Sequence, residues 1–230
     1  MYYGIKKTVR TNRVIIIHYF CISNAQLENL INTCYFMKIG IYGGSFNPVH
    51  IGHTRLAASI LQQALVDELW LLVSPLNPLK QNAAADIAAY EHRLAMAELA
   101  VSGVEGLRVS DFERSLPVPS YMVNTLAALQ TANPDDEFVL VIGADNWADF
   151  SKWYHHEEIV SRYSILVYRR PGCDIDESCL PPSVRVVDTP LYDISSTEIR
   201  QSIQNGAPLD EWIDSKVADY IRRNKLYLIS

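Results

Sequence analysis

The chain has 230 residues, 49% of them apolar and 20% charged, enough to bury a sizeable core without disulfide staples or a structural metal. That composition excludes a disordered tail and a coiled coil. The formal net charge of −6, from 20 Lys and Arg against 26 Asp and Glu, speaks against a broad grip on a nucleic-acid backbone, which needs a basic surface, but allows a local basic pocket.

The first apolar run, residues 14–22, is interrupted by His18 and falls short of the about 18 residues that span a bilayer. With Lys6, Lys7, Arg10 and Arg13 before it and Ala25 behind, it has the outline of a weak signal peptide. Met37 opens directly onto KIGIYGGSF, a buried strand with glycines at its end, which favours the other reading. Residues 1–36 are then an upstream extension, and the functional domain is residues 37–230. Cys21, Cys34, Cys173 and Cys179 form no C-x-x-C pair, so they are read as reduced thiols of a cytoplasmic protein.

From Met37 onward, strand-like runs alternate with segments of helical period, the pattern of an α/β fold with a parallel sheet. Strands are expected at 38–42, 68–73, 107–110, 138–142, 164–168 and 184–187, several rich in Val, Ile and Leu as strands buried on both faces should be. Helices are expected at 52–65, 90–101, 121–131, 157–161, 196–205 and 214–224, with Ser195 or Ser196 capping the fifth and Asn205-Gly206 stopping it. The loops 75–86, 116–120 and 171–182 contain Pro or Gly, and in an open α/β sheet the loops after the strands' carboxyl ends hold the ligand.

The strongest motif, GGSFNPVHIGH over residues 43–53, joins the first strand to the first helix. Gly43 and Gly44 allow a sharp turn and close approach of N–H groups to an anion. Gly52 and His53 fall at a helix opening, where free N–H groups and the positive dipole end favour phosphate. His50 and His53, three apart, reach the same side, so two donors face one phosphate chain. A zinc reading lacks a nearby third ligand, and no metal-ligating residue is assigned.

A second candidate is DISSTEIR over residues 193–200, where Ser195, Ser196 and Thr197 precede a helix and Arg200 follows in its first turns. These groups suit an anion cradle, although Ser195 with Glu198 also has the form of an ordinary capping box. Together the two segments suggest an extended polyphosphate clamped between an early and a late helix. Lys80, in the loop SPLNPLK, adds a third positive contact or is simply a solvated lysine.

GGSFNPVHIGH, SPLNPLK, PSYMVNTL, VIGADNWADFSKWY, YRRPG and ISSTEIR resemble, in the same order, the motifs of the bacterial nicotinate-nucleotide adenylyltransferases. The resemblance runs from Met37 almost to the end and implies a Rossmann-like, open, mainly parallel sheet with helices on both faces. It implies transfer of the adenylyl group of ATP to nicotinate mononucleotide, giving deamido-NAD and pyrophosphate in NAD biosynthesis. ATP and the mononucleotide would be its partners, with Mg²⁺ carried by the nucleotide and neither nucleic acid nor membrane involved. By the resemblance, His50, His53 and Arg200 carry catalysis, and Gly43, Gly44, Ser45, Lys80, Gly143, Asp145, Ser195, Ser196 and Thr197 hold ATP. Asn77, Tyr121, Trp153, Tyr154 and Arg170 would meet the mononucleotide, the indole offering a flat face to the pyridine ring, with Arg169 a further candidate.

Two positions depart from the family pattern: Met122 stands where Thr is frequent, and Leu79 where His precedes the loop lysine. Neither belongs to the phosphate machinery. The competing readings are another adenylyltransferase of the same superfamily, with nicotinamide mononucleotide or phosphopantetheine as acceptor, a cytidylyltransferase, and a nucleotide sensor without turnover. His50-Ile51-Gly52-His53 is also similar to the signature of class I aminoacyl-tRNA synthetases, but no KMSKS-like loop or basic surface accompanies it.

Overall fold

The computed structural model describes residues 36–75, 87–209 and 211–228. The chain divides into Met1–Tyr35 and Phe36–Ser230, and the fold below is that of the second unit. The apolar run 14–22, Cys21 and Cys34, and the loop residues Asn77, Leu79 and Lys80 lie outside the described residues. Cys173 and Cys179 are free thiols.

Six strands form one sheet in the order β3-β2-β1-β4-β5-β6, with every pairing parallel. They are β1 (Lys38–Gly44), β2 (Glu68–Val73), β3 (Leu107–Ser110), β4 (Glu137–Gly143), β5 (Ser164–Tyr168) and β6 (Val184–Val187). The helices are α1 (Ile51–Gln62), α2 (Tyr90–Val101), α3 (Met122–Ala132), α4 (Ala144–Ala148), α5 (His156–Arg162), α6 (Ser196–Gln204) and α7 (Ser215–Arg223).

Successive side chains of a strand face opposite ways, so each strand feeds two cores. Leu69, Leu71, Val73, Val139, Val141 and Leu166 meet residues of α1, α2, α6 and α7 on one face. Ile39, Ile41, Leu72, Phe138, Leu140 and Val167 meet residues of α3 and α5 on the other. Burial on both faces is why these strands read as nearly continuous apolar runs. The chain winds outward from β1 through β2 to β3, then outward the other way from β4 to β6. That reversal leaves a crevice beyond the carboxyl ends of β1 and β4.

Each expected strand and helix is present; the strands at 68–73, 107–110, 164–168 and 184–187 and the helix at 90–101 have the expected ends, and the others shift. The first helix stops at Gln62 rather than 65, because Ala64 adopts a left-handed φ of 52°. The helix expected at 196–205, α6, ends at Gln204, where Gly206 takes a φ of 68° and donates its N–H to the Ile203 carbonyl, the glycine stop the sequence implies. The short helix α4 was not foreseen, since residues 144–148 carry neither a cap nor a full apolar period. Among the described residues, no helix is long and apolar enough to cross a membrane.

Candidate active site

The glycines at the end of β1 are the first correction. Gly43 and Gly44 are not a turn: they remain in the strand, in register with Leu72 and Val73 of β2. Their value is absence of bulk, since a Cβ at Gly43 would come within 2.9 Å of the Met122 methyl. The chain turns at Phe46, which takes a φ of 44°, and enters α1 through His50 in extended conformation.

Gly52 has a similar cause. A Cβ there would stand 3.0 Å from the His50 ring, so glycine leaves the space the imidazole occupies. His50 is buried, 7% exposed, and stacks obliquely on His53 with ring centroids 3.6 Å apart. The His50 backbone N–H donates to His53 Nδ1 at 3.1 Å, so neutral His53 carries its proton on Nε2. Burial, and then the Arg170 guanidinium, lower the His50 pKa from 6.5 to about 4, so this imidazole is neutral at pH 7. Behind the pair, the Tyr42 and Tyr168 hydroxyls are 3.1 Å apart, and burial pushes both phenols up.

The late helix closes on the same loop. The Ser196 hydroxyl donates to the Pro48 carbonyl at 2.9 Å, and Arg200 Nη1 donates to the Asn47 carbonyl at 3.0 Å. Arg200 also bonds Thr197 Oγ1 at 3.4 Å. Ser195 is the cap: its oxygen accepts from the Glu198 N–H at 3.2 Å while Glu198 accepts from the Ser195 N–H at 3.0 Å. The capping-box reading of Ser195 therefore holds alongside its position at the cavity.

A cavity of about 490 Å³ opens between these segments, lined by Gly43, Gly44, Ser45, His50, His53, Gly143, Asp145, Trp153, Arg170, Ser195, Ser196, Thr197 and Arg200. Asp145 lies in the first turn of α4 rather than a loop, with Arg170 Nε 3.7 Å from its carboxylate. Half-exposed, that pair contributes at most about 1 kcal/mol. Arg169 parts company with its neighbour by pairing with Glu177.

A second cavity, about 370 Å³, shares Gly43, Gly44, Met122, Asn146 and Trp153 with the first and is walled by Tyr121, Tyr154 and Lys152. Tyr121 and Tyr154 rings lie 4.6 Å apart. The structure thus gathers every described candidate except Arg169 around two adjoining chambers, one polar and one aromatic. Met122, the residue that departs from the family pattern, sits at their seam.

Sequence reasoning missed two buried groups here. Glu113 lines the second chamber and accepts hydrogen bonds from Ser120 at 3.1 Å and Thr125 at 2.9 Å. Burial pushes its carboxyl up, against the hydroxyls of Thr125, Ser120 and Ser74. Arg93 is 2% exposed beneath the loops. An Arg or Glu in a helix or turn ordinarily reads as part of a solvated face, so only the folded arrangement singles them out.

The cytidylyltransferase-like family model matches residues 41–202. A probable nicotinate-nucleotide adenylyltransferase of Bacteroides fragilis is 48% identical over 169 residues, covering 74% of this chain and 83% of the relative. One from Bacteroides thetaiotaomicron is 45% identical over 186 residues, covering 81% and 91%. Among solved structures, the Plasmodium falciparum nicotinic acid mononucleotide adenylyltransferase complexed with NaAD aligns with a TM-score of 0.72 at 22% identity, covering 83% of this chain and 97% of that one, and so shares the fold.

Proposed function

The chain belongs to the cytidylyltransferase-like family and, within it, to the nicotinate-nucleotide adenylyltransferases; on that premise we propose that it joins ATP to nicotinate mononucleotide, releasing nicotinate adenine dinucleotide and pyrophosphate. The observation that carries this reading is the tie between the two anion-binding segments: Ser196 and Arg200 of α6 bond the carbonyls of Pro48 and Asn47, directly ahead of His50. A single triphosphate is within reach of both.

In the reaction, a 5′-phosphate oxygen of the mononucleotide forms a bond to the α-phosphorus of ATP as the bond to the β-phosphate oxygen breaks. No protein nucleophile is required, so catalysis is positioning and charge stabilisation. His50 and His53 act as hydrogen-bond donors to phosphate oxygens on which charge builds; His50, neutral above pH about 4, binds without a resident positive charge of its own. Arg200 and the Ser196 and Thr197 backbone N–H groups opening α6 hold the departing pyrophosphate, while the Ser196 hydroxyl stays on the Pro48 carbonyl. Lys80 and Asn77, which lie outside the described residues, keep the roles in phosphate and mononucleotide binding that the resemblance gives them.

Trp153 supplies a face for the pyridine ring, flanked by Tyr121 and Tyr154, and Arg170 assists the mononucleotide phosphate. Asp145 accepts hydrogen bonds from ribose hydroxyls. Mg²⁺ arrives on the triphosphate: the main chamber offers imidazoles, hydroxyls and guanidinia, donors for phosphate, and Asp145 is already paired with Arg170. The chemistry it adds is neutralisation of phosphate charge.

The test is pyrophosphate release from purified protein with ATP, Mg²⁺ and a panel of acceptors. Release is expected with nicotinate mononucleotide, much slower release with the nicotinamide form, and none with phosphopantetheine. Release with phosphopantetheine alone would overturn the assignment, and ATP binding without release from any acceptor would favour a sensor.

A further inference from the structure

The guanidinium of Arg93 enters none of the roles above, yet it is among the most buried polar groups of the molecule. It extends from α2 toward the carboxyl edge of the sheet and donates four hydrogen bonds, all to backbone carbonyls. Nη1 reaches the Ser45 carbonyl at 2.7 Å and the Ser74 carbonyl at 2.8 Å. Nη2 reaches Pro75 at 3.1 Å and Nε reaches Ala88 at 3.0 Å. Ser45 is the first residue beyond β1 and Ser74 the first beyond β2, and the Ser74 N–H donates to the Gly44 carbonyl at 2.9 Å. Among the described residues no carboxylate forms an ion pair with this charge, so carbonyl dipoles, with the Tyr90 ring 5.5 Å from the guanidinium carbon, offset most of its desolvation.

A fold brace needs no full charge, and a lysine could not span four acceptors, because only a planar fork presents donors in fixed, divergent directions. A trans peptide holds its N–H antiparallel to its C=O. Drawing the Ser45 carbonyl toward Arg93 therefore aims the Phe46 N–H away from it, and Ser45, Phe46 and Asn47 line the main chamber whereas Arg93 does not. Asn47 is held from a second side, its Oδ1 accepting from the Ala88 N–H at 3.0 Å and from the Tyr227 hydroxyl at 2.9 Å.

We propose that Arg93 is a positioning residue: without touching substrate, it ties the chain leaving β1 to the chain leaving β2 and so orients the Ser45–Phe46 peptide, whose amide meets the phosphates of bound nucleotide. This rests on the adenylyl-transfer reading, and two separate measurements keep the two apart. Arg93→Lys and Arg93→Ala are compared with the parent for melting temperature, for Mg-ATP affinity by calorimetry, and for kcat and KM of pyrophosphate release. The expected result for Arg93→Lys is a melting temperature within a few degrees of the parent, ATP affinity about tenfold weaker, and kcat/KM about a hundredfold lower, as misplacement near 1 Å produces. Guanidinium ion, below its denaturing range, restores part of the loss in Arg93→Ala and nothing in His50→Ala. Parental ATP affinity and kinetic constants in the folded fraction of both variants, or loss of fold in both, make Arg93 a brace only and overturn the proposal. Failure of the parent to release pyrophosphate from any acceptor instead refutes the transfer reading, and ATP affinity still decides the role of Arg93.

Discussion

His50 joins three facts that belong to single atoms: it is buried, it touches the space Gly52 leaves free, and its pKa falls from 6.5 to about 4. The folded protein therefore binds this proton less readily than the unfolded chain. Stability from this group is complete above pH 6.5 and is lost as pH falls toward 4, since the unfolded state gains a proton the folded state refuses. A depression of that size corresponds to roughly 3 kcal/mol. His50→Gln should accordingly lose less melting temperature than the parent between pH 7 and pH 4.5, and equal losses would remove the imidazole as the cause. His50→Ala should fold and lose kcat by a factor on the order of a hundred to a thousand, as removal of one oxyanion donor does; near-parental kcat would take His50 out of the reaction. Gly52→Ala should reach a milder version of the same defect by pushing the ring aside, read as a lower kcat at a nearly unchanged melting temperature.

At the scale of elements, the opening of α6 serves two ends. Ser195 closes a capping box with Glu198, while Ser196 and Arg200 tie the helix to the residues before α1. Substitution at the cap separates these roles. Ser195→Ala loses the cap and should cost about 1 kcal/mol of stability. Ser195→Asp keeps a cap and suits the helix dipole, but sets a carboxylate beside the proposed triphosphate, so stability should hold while the KM for ATP rises about tenfold. An unchanged KM would mean that this helix end does not face ATP. The glycines of β1 teach a complementary lesson: glycine beside glycine reads as a turn, yet here it marks a strand end packed against the Met122 side chain.

For the whole molecule, the six strands found among the described residues run from Lys38 to Val187, and both faces of their sheet are covered by helices of the second unit. A chain beginning at Met37 should thus melt as the parent does and retain turnover within about twofold, because it keeps every strand and helix that builds the two cores described above; loss of either would show residues 1–36 to be part of the working domain. How the parts meet divides cleanly between sequence and fold. Alternation of buried strands with helical periods, the glycine stop at Gly206, and the histidines flanking Gly52 follow from local periodicity and local stereochemistry, and these the linear chain determined by itself. Which of two adjacent arginines enters the chamber, Arg170 and not Arg169, depends on alternation beyond β5 and on Glu177. The use of Arg93 and Glu113 depends on carbonyls and hydroxyls brought from loops far apart in the chain. A charged side chain in a helix or turn carries no mark of the partners that will surround it; those partners exist only once the sheet has brought the ends of β1, β2 and β4 together.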